Sequence, residues 1–253
     1  MIAVLSPAKS LDYETPVPAS SQPSVPRLAA EARTLAKGAA TLGADGLAKL
    51  MHISPKLAEL NATRFQEFAK APERPAIHAF AGDVYTGFEA TTLDAPAIDF
   101  AQDHLRIFSG LYGLLRPLDA MRPYRLEMGT RWAPGAAKTL YEWWKDRIAD
   151  LLAKDVADEG SGVVLNLASQ EYWKAVAGKL PDTVRVIDVD FREPGPEGTR
   201  FVSFHAKRAR GMVARWMCEH RVTEVDATRG FDSDGYRFDA DESTDTRWRF
   251  TRA

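Results

Sequence analysis

Residues 163–180 read VVLNLASQEYWKAVAGKL. Val163-Val164-Leu165 is a short apolar run, the pattern of a buried strand. Ser169 is a good N-cap type, and the helix expected behind it runs to about Leu180. On the N-terminal side, Leu140, Trp143, Trp144, Ile148, Leu151 and Leu152 recur at about 3.6 residues, which predicts an amphipathic helix over 139–153. On the C-terminal side, 184–191 alternates, with Arg185, Ile187, Val189 and Phe191 on one face. Thr199 to His205 is expected to pair with it across the turn Glu193-Pro194-Gly195-Pro196-Glu197-Gly198. Lys207 to His220 reads as a helix, and Gly235–Phe238 with Thr246–Thr251 as a last strand pair.

The N-terminal half repeats the mixture. Ile2-Ala3-Val4-Leu5 is a buried-strand run that stops at Ser6-Pro7. Five prolines within 6–26 forbid a continuous helix or central strand there, so this is a loop, either a surface excursion or functional. Residues 28–42 are a helix by composition. Ser54 caps another, with Pro55 at its first position and Leu57, Leu60, Phe65 and Phe68 on one apolar side. Ala76–Ala81 and Leu105–Phe108 read as strands. Interspersed strands and helices predict an α/β or α+β fold, a mixed central sheet flanked by helices, in one domain over 1–253.

Composition narrows the function classes. Lys plus Arg is 33 and Asp plus Glu 35, a net charge of −2, which excludes a globally basic nucleic-acid binder but leaves room for a local basic patch. Cys218 is the single cysteine, so there is no intrachain disulfide and no cysteine-based zinc site. His52, His78, His104, His205 and His220 form no metal-ligand spacing, and neither metal nor cofactor is expected. Apolar runs fall far short of the roughly 20 residues that span a bilayer. The N-terminus MIAVLSPAK has no basic region ahead of its apolar stretch, so a cytoplasmic protein is expected.

Four segments carry candidate chemistry. Ser6-Pro7-Ala8-Lys9 follows the first strand, where ligands of open α/β sheets bind, and Lys9 would offer a charge to an anion. SGLYGLLRPLD at 109–119 has two glycines three apart, whose exposed amides would cradle a phosphate, with Arg116, Arg122, Arg125 and Arg131 as planar donors. The same arginines are equally suited to ion pairs with Asp119 and Glu127. In NLASQEYWK at 166–174, Asn166, Ser169 and Tyr172 stand at a strand end before a helix N-terminus, an anion site or simply a cap and core. From 207 to 221, Lys207, Arg208, Arg210, Arg215 and Arg221 face Glu219 alone, the strongest local cationic excess in the chain. That helix is either an anion site or a solvated face.

These blocks, with AGDVYTGF at 81–88 and PYRLEMGT at 123–130, resemble the YaaA family of peroxide stress proteins, in the family's order over nearly the whole chain. The resemblance implies a cytoplasmic bacterial protein that limits damage from unincorporated intracellular iron. It also implies DNA binding through a positively charged cleft and a helix–hairpin–helix-like element. The binding role falls on Lys9, Arg116, Arg122, Arg125, Lys207, Arg208 and Arg210, with Gly110 and Gly113 as hairpin backbone. Tyr112 and Tyr124 are the expected stacking partners for an unpaired base. Contacts of this phosphate type are sequence-independent and salt-sensitive. A rival reading groups Ser6, Tyr85, Glu127, Asn166, Ser169 and Tyr172 in a small polar pocket acting on a nucleoside or modified base, with Glu127 as acid or base. A third is a stress-response protein that docks an acidic partner and does no chemistry.

Overall fold

The computed structural model describes residues 1–196 and 198–252. Its strands are β1 (Ile2–Leu5), β2 (Ser10–Leu11), β3 (Arg74–Pro75), β4 (Phe80–Ala81), β5 (Leu105–Ser109), β6 (Gly113–Leu115) and β7 (Ala120–Met121). They continue with β8 (Val163–Asn166), β9 (Arg185–Gly195), β10 (Gly198–Arg200), β11 (Tyr236–Asp239) and β12 (Arg247–Arg252). Every residue of β1 and β5 is buried, so both must have neighbours on each face. They lie inside an eight-stranded sheet of order β11-β12-β9-β8-β1-β5-β6, with β10 paired to β9.

Strands β5, β1, β8, β9 and β12 are mutually parallel. Edge strands β6 and β11 run antiparallel to their neighbours, so the sheet is mixed. Numbered by their order in the chain, the parallel strands lie 2-1-3-4-5. That is a doubly wound order, and its direction reverses between β1 and β8. At such a switch point the two crossover connections diverge and leave a crevice beyond the strand ends. One continuous hydrophobic core joins the sheet to its helices, and this is a single α/β domain. None of the described helices is long and apolar enough to cross a membrane.

Several local expectations are corrected. Ala76–Ala79 is a helical turn, and only Phe80–Ala81 is extended; Arg74 Nε donates to the His78 carbonyl at 2.9 Å and holds the turn closed. The 139–153 helix is two helices, Leu140–Trp144 and Arg147–Glu159, parted at Lys145 with φ 48°. The break lets Trp144 Nε1 reach the Gly110 carbonyl at 3.0 Å, a tertiary bond that periodicity does not encode. The helix after Ser169 is only Gln170–Trp173, followed by turns. Thr199–His205 is not one strand: the helix Ser203–His220 starts inside it, leaving Gly198–Arg200 against β9. Glu197 of that turn lies outside the described residues. Leu60 is solvent-facing, whereas Phe65 and Phe68 are buried.

The proline-rich segment is a pinned strap. Its β2 pairs with β4, Ser24 bridges to Asp119, and the Tyr13 hydroxyl donates to the Met121 carbonyl at 2.7 Å. Cys218 is buried in the core, and burial pushes its thiol pKa up.

Two glycines set the geometry of the site. The helix Asp83–Phe88 crosses the helix Ser203–His220 in close backbone contact. A Cβ on Gly211 would overlap the Val84 carbonyl oxygen, and one on Gly87 would overlap that of Arg208. Only glycine permits this approach.

Candidate functional site

A cavity of about 450 Å³ opens beyond the ends of β1 and β8, at the switch point. Pro7 helps end β1, and Ser6 is left buried at the strand terminus. Ser6 Oγ accepts the Ser169 N–H at 2.8 Å and its hydroxyl donates to Ser169 Oγ at 3.2 Å. The two strand ends are thereby sewn together, and Ser169 serves that joint in place of a helix cap. The Tyr85 hydroxyl donates to the Ser6 carbonyl at 3.0 Å, and burial holds its pKa well above the ordinary value. Tyr172 forms part of the wall, and burial likewise keeps it a neutral phenol.

Asn166 does not line the cavity. Its amide donates to Asp188 Oδ1 at 2.7 Å and its oxygen accepts the Ala168 N–H at 3.0 Å, so it shapes the turn behind the wall.

The cavity wall carries four cations, Lys9, Arg125, Lys207 and Arg210, and three carboxylates, Asp83, Glu127 and Glu171. Most are spoken for. Glu127 takes Lys9 Nζ at 2.8 Å on one oxygen and Arg125 Nη2 at 3.1 Å on the other. Lys207 Nζ lies 3.7 Å from Asp83 Oδ2. Glu171 accepts the Gly129 N–H at 2.8 Å.

Arg210 is different. Among the described residues it has no carboxylate within salt-bridge distance, and its Nε is buried without a hydrogen-bond partner. Burial lowers its pKa, which the more distant Asp190 only partly opposes. Arg125 Nε is likewise buried without a partner. A buried guanidinium donor normally finds an acceptor. The two guanidinium groups on one cavity wall suit an anionic ligand, and a phosphate offers the oxygens a guanidinium fork matches.

Other expected binding residues are held elsewhere. Arg116 Nη2 donates to Asp119 at 2.8 Å and to the Val25 carbonyl at 3.2 Å, tying the strap to the β6–β7 connection. Arg122 pairs with Glu73 at 2.9 Å, donates to the Ala71 carbonyl and lies 5.8 Å from the Phe68 ring centre. Arg208 pairs with Asp234 at 3.0 Å and does not line the cavity.

Gly110 and Gly113 sit in the buried link between β5 and β6, not between two helices. Gly113 takes φ +70°, and a Cβ on Gly110 would overlap the Leu126 carbonyl oxygen. Both residues are buried, so neither offers an open amide to a phosphate. A short helical hairpin occurs instead at Gly43–Met51 and Pro55–Gln66, turning through left-handed His52.

Tyr112 and Tyr124 are each 4% exposed, which removes them as stacking platforms. The Tyr112 hydroxyl accepts the Arg122 N–H at 2.9 Å, and Tyr124 shares a 2.6 Å hydrogen bond with Ser109. The two rings pack edge to face at 5.8 Å, and Tyr124 borders the cavity with little exposed surface. Sequence reasoning had not assigned Asp83 and Glu171 to the site. The block AGDVYTGF carried the signal for Asp83, since its second glycine makes the helix contact that brings it beside Lys207.

Fold and site together define a doubly wound α/β protein with a cavity at its switch point that is walled by four cations and three carboxylates. The chain belongs to the family described as peroxide stress protein YaaA, whose family model matches residues 1–242. It is similar to a UPF0246 protein of Rhizorhabdus wittichii, 60% identical over 252 residues, covering 100% of this chain and 99% of that one. A UPF0246 protein of Cupriavidus metallidurans is 48% identical over 259 residues, covering 100% and 98%. One of Bordetella pertussis is 46% identical over 256 residues, covering 100% and 99%.

Proposed function

We propose that this peroxide stress protein acts in the cytoplasm by binding DNA through the cleft that holds Lys9, Arg125, Lys207 and Arg210. By occupying DNA it limits the damage that unincorporated iron causes there. The carrying observation is Arg210, a half-buried guanidinium on the cavity wall with no ion pair among the described residues and an orphaned Nε. A phosphate in the cavity meets the outer N–H groups of this guanidinium, which no described carboxylate engages. Lys9 and Lys207, both exposed and each paired to one carboxylate, can exchange that carboxylate for a phosphate oxygen. Carboxylates on the wall temper the charge, so affinity rests on a few contacts rather than a broad basic surface.

The test is binding to fluorescent duplex, gapped and single-stranded DNA across a salt series. Each phosphate contact adds about 0.9 to the steepness of log affinity against log salt on duplex. The Lys207→Ala/Arg210→Ala double variant should bind more weakly and lose roughly two units of that slope. No binding by the wild type at low salt would overturn the proposal.

A second reading has its own observation. Glu127 is clamped between Lys9 and Arg125 at a cavity floored by the Ser6 and Ser169 hydroxyls, an arrangement a DNA clamp does not need. It suits an enzyme acting on a nucleoside or modified base, with Glu127 moving a proton. Thermal stabilisation by a nucleoside monophosphate, with no response to DNA, would favour it.

A further inference from the structure

We propose that Phe201 and Phe204 form a stacking platform for the bases of an unpaired strand, at the rim of the cation-lined cavity. This rests on the DNA reading and deepens it by naming the strand state. Of the chain's 12 phenylalanines, only these two are exposed, at 50% and 55%. They are three residues apart: Phe201 stands just before the N-cap Val202, and Phe204 lies in the first turn of the helix whose Lys207 and Arg210 line the cavity.

Helical spacing puts Phe204 on the same side as Lys207 and Arg208, about 5 Å along the axis. The Arg192 guanidinium lies 5.9 Å from the Phe201 ring centre. The carboxylates nearby are already engaged. Asp190 pairs with Arg192 at 2.8 Å, Asp83 with Lys207, Asp234 with Arg208, and Glu193 is buried against Tyr236 and Arg252. The patch is therefore two exposed rings beside ion pairs, from which Lys207 and Arg210, the latter paired to no described carboxylate, lead into the cavity.

That combination is complementary to an unpaired nucleic-acid strand. Phosphates follow the cations while bases stack on the rings, and every base has a π-face to offer. Bases inside a duplex are already stacked on each other and gain nothing from the platform. An acidic peptide would satisfy the cations and leave the rings in water.

The experiment compares wild type with Phe201→Ala/Phe204→Ala on labelled oligo-dT and on a blunt duplex of equal length at low salt. The double variant is expected to lose roughly 10- to 100-fold on oligo-dT while its duplex affinity stays within about twofold. Phe204→Trp should keep the single-strand affinity and Phe204→Leu should lose it, which separates stacking from bulk. An equal loss on both probes, or no loss on oligo-dT, overturns the platform and leaves the DNA reading standing. A wild type that binds neither probe overturns both. A wild-type dimer in sedimentation that the double variant abolishes would assign the rings to a second copy of the chain and overturn the proposal.

Discussion

Residues 109–122 and 207–211 look alike in composition, since each sets arginines beside glycines. The structure gives them opposite jobs. In the first, glycines let a strand link pass through the interior, and both its arginines are tied down. Arg116 is held by Asp119, three residues on, and Arg122 by Glu73. In the second, Gly211 brings two helices together and so delivers Lys207 beside Asp83 and Arg210 to a cavity where no carboxylate meets it. A cation's role follows from what the fold sets opposite it, and residue type alone does not reveal that.

Breaking the first region should have the largest effect on stability. Asp119 is fully buried and accepts from Ser24, from the Arg116 backbone and from its guanidinium. Asp119→Ala leaves these donors unpaired and should cost about 3–5 kcal/mol. At roughly 2–4 °C per kcal/mol for a domain of this size, the melting shift is easily read. DNA affinity measured well below the midpoint should be unchanged; a large loss of affinity would show that the two regions are one functional unit.

Acid should weaken the same region next. His78 is buried, bonds Ser21 at 2.9 Å, and lies in the turn whose Ala76 N–H reaches the Asp119 carbonyl. Burial first, and Arg74 second, lower its pKa from 6.5 to about 4. Between those values the unfolded chain binds the extra proton, so stability rises with pH. The contribution is complete above pH 6.5, is lost as the pH falls towards 4, and amounts to up to about 3 kcal/mol. Urea midpoints measured across that range should fall, and fall less in His78→Gln.

The second region gives smaller effects on stability and larger ones on binding. Gly211→Ala forces the helix pair apart and should cost about 1–3 kcal/mol. It should also reduce affinity for DNA, because Asp83, Lys207 and Arg210 shift together. Unchanged affinity would separate the helix contact from the site. Arg210→Met removes an unpaired, half-buried charge, so stability should hold or rise by up to about 1 kcal/mol. Arg116→Met should instead lower it, because Asp119 loses its partner. Matched losses for the two variants would erase the distinction between the regions.

Much of the fold was legible because its signals are local. The buried runs Ile2–Leu5, Leu105–Phe108 and Val163–Leu165 became central parallel strands, and the Ser54-Pro55 cap begins a helix as read. Alternation grouped Ile187, Val189 and Phe191 on one face, and the structure buries that face, with Arg185 at its exposed end. The misses are non-local. Lys145 breaks a well-patterned helix, and the break allows Trp144 to bond Gly110, far away in the chain. At the site, Ser6, Lys9, Tyr124, Arg125, Glu127, Ser169, Tyr172, Lys207 and Arg210 were named from the sequence and do line one cavity. Arg116, Arg122 and Arg208 were named with them and do not.

By itself the sequence determined the central parallel strands, several helix starts, the α/β class and the family, because apolar periodicity, caps and prolines act within a few residues. Only the tertiary structure decided which cations are free and which aromatic rings face water. Ion pairs such as Arg122–Glu73 and Arg208–Asp234, and the burial of Tyr112 and Tyr124, depend on segments far apart in the chain. Packing brings those segments together, and a charge or a ring left over after packing is what a ligand can use.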